Sequence, residues 1–183
     1  MTLKILFLLF LFNCTSISYK FRIKDLNQEV ETLKRIQVQV NPKNLNNTKV
    51  SLFEEYLSKE FSHRTNYIVY PTKEKSNKLE SIYYIELQEF LEGNSLRLDA
   101  KAYLVRFKDR KLIWQINCSS NYNTLSQENK SIVDSSIEKW GAEVKPFSNA
   151  YFEFAKMIVS ETTKPSQLSD IETDEKIEIE SKL

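Results

Sequence analysis

Three consecutive stretches, Ser81 to Phe90, Ser95 to Phe107 and Lys111 to Ser119, are rich in β-branched and aromatic residues, and only Glu92-Gly93-Asn94 and Lys108-Asp109-Arg110 mark the turns between them. Parallel strands need a crossover of a dozen or more residues, so strands joined this tightly have to run antiparallel as hairpins. The alternation assigns each side chain to a face. Leu98, Ala100, Ala102, Trp114, Ile116 and Cys118 share one face, and Arg97, Asp99, Lys101, Tyr103, Gln115 and Asn117 share the other. The middle of the chain is therefore an antiparallel meander with an apolar side to bury and a polar side that water can cover.

The flanks supply the cover. Arg35 to Asn41 alternates Ile36, Val38 and Val40 with Gln37 and Gln39, the pattern of a half-buried strand. After the turn residues Asn41-Pro42 through Asn47-Thr48, the apolar residues Val50, Phe53, Leu57 and Phe61 recur at helical spacing, predicting a helix over 49–63. Tyr67 to Tyr70 is a short strand stopped by Pro71, followed by a lysine-rich loop over 72–78. Residues 120–146 start as a polar loop and then place Ile132, Val133, Ile137 and Trp140 about a turn apart until Gly141 stops the helix. Tyr151, Phe152, Ala155, Ile158 and Val159 mark a stronger amphipathic helix over 147–161. The element order predicts an α+β fold: a two-layer sandwich whose mixed sheet, with its antiparallel meander, is covered on one face by two helices. With 183 residues, 41% of them hydrophobic, the chain suits one domain, expected over 33–162.

The two ends differ from this domain in kind. Lys4 precedes the unbroken apolar run Ile5 to Phe12, the charge-then-apolar layout of an export signal. Eight residues fall well short of the roughly 20 that a membrane-spanning helix needs. Two processing sites are open. Leu11-Phe12-Asn13-Cys14 resembles a bacterial lipobox of the relaxed, spirochaete type, in which Phe12 and Asn13 replace the usual small residues. Cleavage there makes 1–13 a signal peptide, leaves Cys14 acylated and turns 14–32 into a tether, part of which can pair as an edge strand. Alternatively Ser16-Ile17-Ser18 is a small-x-small site for ordinary secretion, which discards Cys14 and releases a soluble protein. Either way Cys118 remains as the only thiol, so no internal disulfide staples the domain and burial has to hold it. At the other end, seven carboxylates stand against three lysines from Glu161 to Leu183, and 163–183 reads as an acidic, unstructured tail.

Within this frame the segments KRIQVQV, NYIVYP and LRLDAKAYLVRFKDRKLIWQINCS resemble envelope lipoproteins built on the TolB amino-terminal and CsgG-like α/β domain, whose meander carries a polar turn and a following strand with Trp. Here Lys108-Asp109-Arg110-Lys111 stands in the turn and Trp114 in the strand, while the family's turn glycine is missing. Small leptospiral and myxobacterial lipoproteins are similar over most of residues 1–160. The resemblance implies a fold and a cell-envelope location, on the outer membrane or its periplasmic or surface side, and it brings no activity.

The chemistry is sparse. His63 is the only histidine, so no histidine-based metal cluster is available, and its place at a helix C-terminus favours carbonyl capping. Cys118 runs in phase with Leu112, Trp114 and Ile116 and reads as a core residue rather than a nucleophile. Gly93 and Gly141 are the only glycines, too few for a P-loop or a dinucleotide fingerprint. Glu86 and Asp99 point away from the core and are expected to pair with Arg97 and Lys101 rather than to form an acid/base couple. A formal charge of +1 gives no case for nucleic acid. These features favour a lipid-anchored, non-catalytic structural or assembly subunit of the envelope, with no cofactor and no metal, held to the membrane by its anchor and in contact with another envelope protein. The alternative is a carrier for a lipid or small molecule. Tyr84, Arg97 and Tyr103, standing among charges on the polar face, are the candidate partner-binding residues, because interface hot spots favour Tyr and Arg.

Overall fold

The computed structural model describes residues 16–18, 33–65, 67–70, 78–126 and 128–163. Strands β1 (Ser16–Ser18), β2 (Arg35–Pro42), β3 (Ile68–Tyr70), β4 (Ser81–Glu92), β5 (Ser95–Arg106) and β6 (Leu112–Asn123) form one sheet in the order β1-β6-β5-β4-β2-β3. The meander β4-β5-β6 is antiparallel throughout, with Tyr84 opposite Tyr103 and Ala100 opposite Cys118. β2 pairs in parallel with both β4 and β3, so the sheet is mixed, and helix α1 (Asn47–Arg64) supplies the crossover between β2 and β3. β1 lies antiparallel along the outer edge of β6, Ser16 facing Ser119 and Ser18 facing Asn117.

The turns follow their residues. Gly93, at φ +56°, closes the β4–β5 hairpin, and Arg110, at φ +59°, occupies in the β5–β6 turn the left-handed conformation that a glycine would adopt without strain. Asn46 starts α1 by accepting the Lys49 backbone N–H at 2.9 Å. Helix α2 (Lys130–Trp140) ends at Gly141, whose φ of +93° and ψ of 167° lie in a region open essentially to glycine alone. A single 3₁₀ turn, Ala142–Val144, then leads into helix α3 (Lys145–Thr163).

The α+β sandwich holds, with two differences from the sequence reading. First, β6 runs on to Asn123, through residues that read as loop. Ser120 and Tyr122 continue the inward alternation of Cys118, and Tyr122 meets the Phe154 ring edge-on at 6.3 Å. Secondly, three helices take part instead of two. α1 and α3 cover the sheet, and α2 packs against both of them. The Tyr56 hydroxyl bonds Ser136, and Glu55 accepts Lys139 Nζ at 2.8 Å and Trp140 Nε1 at 3.2 Å. Burial pushes the Glu55 carboxyl up, but the hydrogen bonds from Lys139 and Lys59 outweigh it and hold the group below the ordinary range. Because α2 rests on helices alone, its Ile132, Val133, Ile137 and Trp140 are half-buried.

Between the layers Phe53 lies edge-on to Tyr151 at 5.6 Å and stacks on Phe154 at 6.1 Å, while Phe61 meets Tyr83 at 4.9 Å. Each fully buried large apolar side chain contributes about 1.5–3 kcal/mol, so this aromatic cluster and the buried aliphatic residues around it hold a domain with one buried, unpaired cysteine. The polar face is less uniform than its alternation implied. Gln37, Ile82, Val105 and Gln115 are all buried there, at the end near the β5–β6 turn. The charged half of the face lies beyond them, toward the β4–β5 hairpin.

Candidate functional site

The charged half forms a shallow groove across β4, β5 and β6, about 430 Å³ in volume. Its residues answer one another. Arg97 lies 3.3 Å from Asp99, which also accepts Ser119 Oγ–H at 2.6 Å. Glu86 stands opposite Lys101 in register, yet its salt bridge goes to Lys43 at 3.9 Å, and it accepts the Tyr103 hydroxyl at 3.4 Å. Lys101 lies over the Tyr103 ring at 5.0 Å. Burial raises the Tyr103 hydroxyl above its ordinary range, and Lys101 pulls the other way. Asn117 Oδ1 is buried here without a hydrogen-bond donor. The groove thus presents paired charges and amides, a surface suited to polar contact and poorly suited to an apolar ligand.

Of the three candidate partner residues, the structure brings two together. Tyr84 and Tyr103 are direct cross-strand neighbours, both half-buried, and Arg110 Nη1 donates to the Tyr84 hydroxyl at 3.4 Å. Arg97 is six residues away along β5, about 20 Å at the rise of a strand, opposite Phe90 with its guanidinium 4.2 Å over that ring. The tyrosine pair and Arg97 are separate features of one face. Cys14 and the proposed signal peptide over 1–13 lie outside the described residues, as do residues 164–183 of the acidic tail; of the tether over 14–32 only Ser16–Ser18 are described.

His63 sits exposed in the last turn of α1, and the cap is made by Thr65, whose backbone N–H reaches the Phe61 carbonyl at 3.1 Å and whose hydroxyl bonds the same oxygen. Thr65 is the first residue past the helix, placed to turn both donors back, which the histidine inside the last turn is not. Cys118 is 3% exposed. Burial, with Glu161 adding to it, pushes its thiol up to about 12, so at neutral pH it is the unreactive form. Among the described residues no group of three or more His, Cys, Asp or Glu is placed to hold a metal ion, and no helix is long and apolar enough to cross a membrane.

One cluster escaped the sequence reading. Glu89 follows Tyr83, Ile85 and Leu87 on the inward side of β4, where a carboxylate needs partners. It ion-pairs with Lys49 of α1 and accepts the Tyr151 hydroxyl of α3 at 2.7 Å. Lys49 in turn lies over the Phe147 ring at 3.5 Å. Asn44 clamps the strand at the same residue, donating to the Glu89 carbonyl at 2.6 Å and accepting its N–H at 3.1 Å. Burial first, and then Glu89, raises the Tyr151 hydroxyl far above its ordinary value, keeping it a donor. The signal was available: a carboxylate at an apolar position of an alternating strand.

No family model matches the chain, and no curated relative matches it. Solved structures with a similar arrangement include the PelC dodecamer from Paraburkholderia phytofirmans, at 9% identity and a TM-score of 0.48, covering 73% of this chain and 98% of that one. The protein CT253 from Chlamydia trachomatis, at 10% identity and 0.49, covers 69% and 94%. The lipoprotein GNA1162 from Neisseria meningitidis, at 12% identity and 0.42, covers 57% and 96%. At these values no property of this chain follows from the likeness.

Proposed function

We propose that this chain is a cell-envelope lipoprotein, anchored through an acylated Cys14 and serving as a non-catalytic structural or assembly subunit. The observation that supports it best is β1. Ser16–Ser18 occupy the edge of β6, so cleavage after Ser18 would strip a strand from the sheet, whereas cleavage before Cys14 keeps it. Two acyl chains give stable attachment where one is marginal, at about 0.8 kcal/mol per buried CH₂. The mutual pairing of charges in the groove and the suppressed Cys118 thiol support a role in contact rather than in chemistry. A lipid carrier is disfavoured, because Phe53, Tyr83, Tyr151 and Phe154 are packed fully buried between helices and sheet, and the groove described above is lined by charged and polar residues. The resemblance to TolB-type and leptospiral lipoproteins belongs to the same reading.

The test is Cys14→Ser in expressing bacteria grown with labelled fatty acid. Loss of label and of membrane retention is expected. An unlabelled wild type, or full membrane retention of the variant, overturns the anchor.

A further inference from the structure

We infer that the end of the sheet formed by the β4–β5 hairpin and the turn after β6 is the surface applied to the lipid bilayer, with Phe90, Leu91 and Leu125 as its apolar contacts. This rests on the anchor at Cys14 proposed above and adds an orientation to it.

Two independent observations meet here. The first is the direction of β1. It runs antiparallel to β6 with Ser16 against Ser119 and Ser18 against Asn117, so its N-terminal end points along β6 toward Asn123, which pairs with Ser95 beside the Glu92-Gly93-Asn94 turn. Ser119 is four residues from Asn123, about 13 Å of strand, and seven from Leu112 at the other end, about 23 Å. Only Thr15 separates Cys14 from Ser16, so two residue spacings, at most about 7 Å of chain, hold the acylated sulfur's backbone close to the sheet. An anchor that short fixes which end of a rigid sheet can reach the headgroups.

The second is what that end displays. Leu125 is 65% exposed, Leu91 55% and Phe90 39%, three of the five large apolar residues exposed among the described residues. They flank one turn. Phe90 and Leu91 precede Glu92-Gly93-Asn94, and Thr124, next to Leu125, donates its backbone N–H to the Asn94 carbonyl at 2.9 Å. Phe90 carries Arg97 on its ring, an aromatic and a cation together, which suits the boundary between acyl chains and headgroups. The opposite end differs: its exposed large apolar side chains stand apart, Ile68 on the edge strand β3 opposite Arg35, and Phe107 beside Lys108, Asp109, Arg110 and Lys111 in a basic turn. Apolar area with little charge favours insertion into the interface, whereas the basic turn could attract anionic headgroups only from a distance.

The experiment uses the acylated full chain, extracted from expressing cells and reconstituted into phosphatidylethanolamine/phosphatidylglycerol vesicles with brominated acyl chains. Cys118→Ser removes the buried thiol, and an environment-sensitive thiol fluorophore is placed by Leu91→Cys, Leu125→Cys, Phe107→Cys or Lys101→Cys, all surface positions or partly exposed. Vesicle flotation of each preparation reports the anchor independently. The expected result is flotation of all four, with several-fold stronger bromine quenching at positions 91 and 125 than at 107 and 101. Strongest quenching at 107 reverses the orientation, strongest quenching at 101 lays the open face on the bilayer, and equal weak quenching holds the domain clear of it; each overturns the inference while leaving the anchor intact. Failure to float overturns the anchor and the orientation with it.

Discussion

The hydroxyl of Tyr151, on the last helix, donates to the Glu89 carboxylate of the central meander at 2.7 Å, and Lys49 of the first helix closes on the same carboxylate. One side chain thus joins three elements that are distant in sequence. With Glu89 and Lys49 side chains only 11% and 16% exposed, their removal is not a surface event. Glu89→Leu leaves the ammonium nearly buried and unpaired, and is expected to lower stability by about 3–5 kcal/mol. Tyr151→Phe removes one charged-group hydrogen bond and should lower it by about 1.5–3 kcal/mol. The double variant Lys49→Met, Glu89→Leu should recover part of the loss. Urea unfolding checks all three, and a double variant less stable than Glu89→Leu would contradict the coupling.

Arg110 holds a positive φ of 59° in the β5–β6 turn, a conformation that glycine adopts without strain. An L-residue pays for this conformation with a clash between Cβ and the carbonyl, about 1 kcal/mol relative to glycine. Against that stand only a 3.4 Å hydrogen bond to Tyr84 and a 5.3 Å contact with the Phe107 ring, both near the surface. Arg110→Gly is expected to raise stability by about 0.5–1 kcal/mol, read as a higher urea midpoint with unchanged slope. A lower midpoint would show that the arginine's contacts outweigh its backbone strain.

Alkaline pH should unfold the domain steeply. Burial pushes Tyr67, Tyr122 and Cys118 up to about 12, and holds Tyr83 and Tyr151 well above the ordinary tyrosine range. Their ordinary values are 10.0 for tyrosine and 9.0 for the thiol. Because the folded values are raised, the stability these groups contribute is fully present below pH 9 and is lost as the pH climbs through the folded values. Each proton released on unfolding adds about 1.4 kcal/mol per pH unit to the decline. The urea midpoint should therefore be flat from pH 7 to about 9 and collapse before pH 12, with the tyrosinate absorbance of these four of the nine tyrosines appearing together with unfolding. The full absorbance of all nine tyrosines appearing ahead of unfolding would mean these hydroxyls are open to solvent.

The cross-strand pair Tyr84 and Tyr103 and the distant Arg97 predict separable effects on a protein partner. If the pair is the contact, Tyr84→Ala with Tyr103→Ala should reduce co-purification of that partner several-fold, while Arg97→Ala changes it little. The melting temperature is expected to fall by only a few degrees, since both rings are half-buried. Equal loss from Arg97→Ala alone would instead put recognition at the hairpin end.

How legible the molecule was in its sequence depended on whether a signal was periodic or cooperative. The alternation from Ser81 to Arg106 and from Trp114 to Ser119, with the spacing of Phe53, Leu57 and Phe61, carried the sheet and its first helix, because each residue reports its own face. The bulge beside Val105 breaks the phase, so Ile113 is buried in the core in place of the expected Leu112. The last stretch of the alternation in β6 is hidden in the sequence because Ser120 is small and polar, although the fold buries it. Ile82 and Val105 were visible as apolar residues at outward positions, and with Gln115 they make half of the polar face a buried one. The Glu89 cluster needed three elements at once. So did the separation of Arg97 from Tyr103, which share a face but not a place.

The three residues of β1 have one more consequence, for how copies of this chain treat one another. A chain trimmed to begin at Tyr19 would bare the backbone N–H and C=O groups of Asn117–Ser119 that β1 now pairs, on the margin of a twelve-residue strand. Such a row is a template for any extended segment that reaches it, including the same strand of a neighbour. The site of processing would then decide not only whether the protein is held to a membrane but also whether it offers an open sheet edge to another copy.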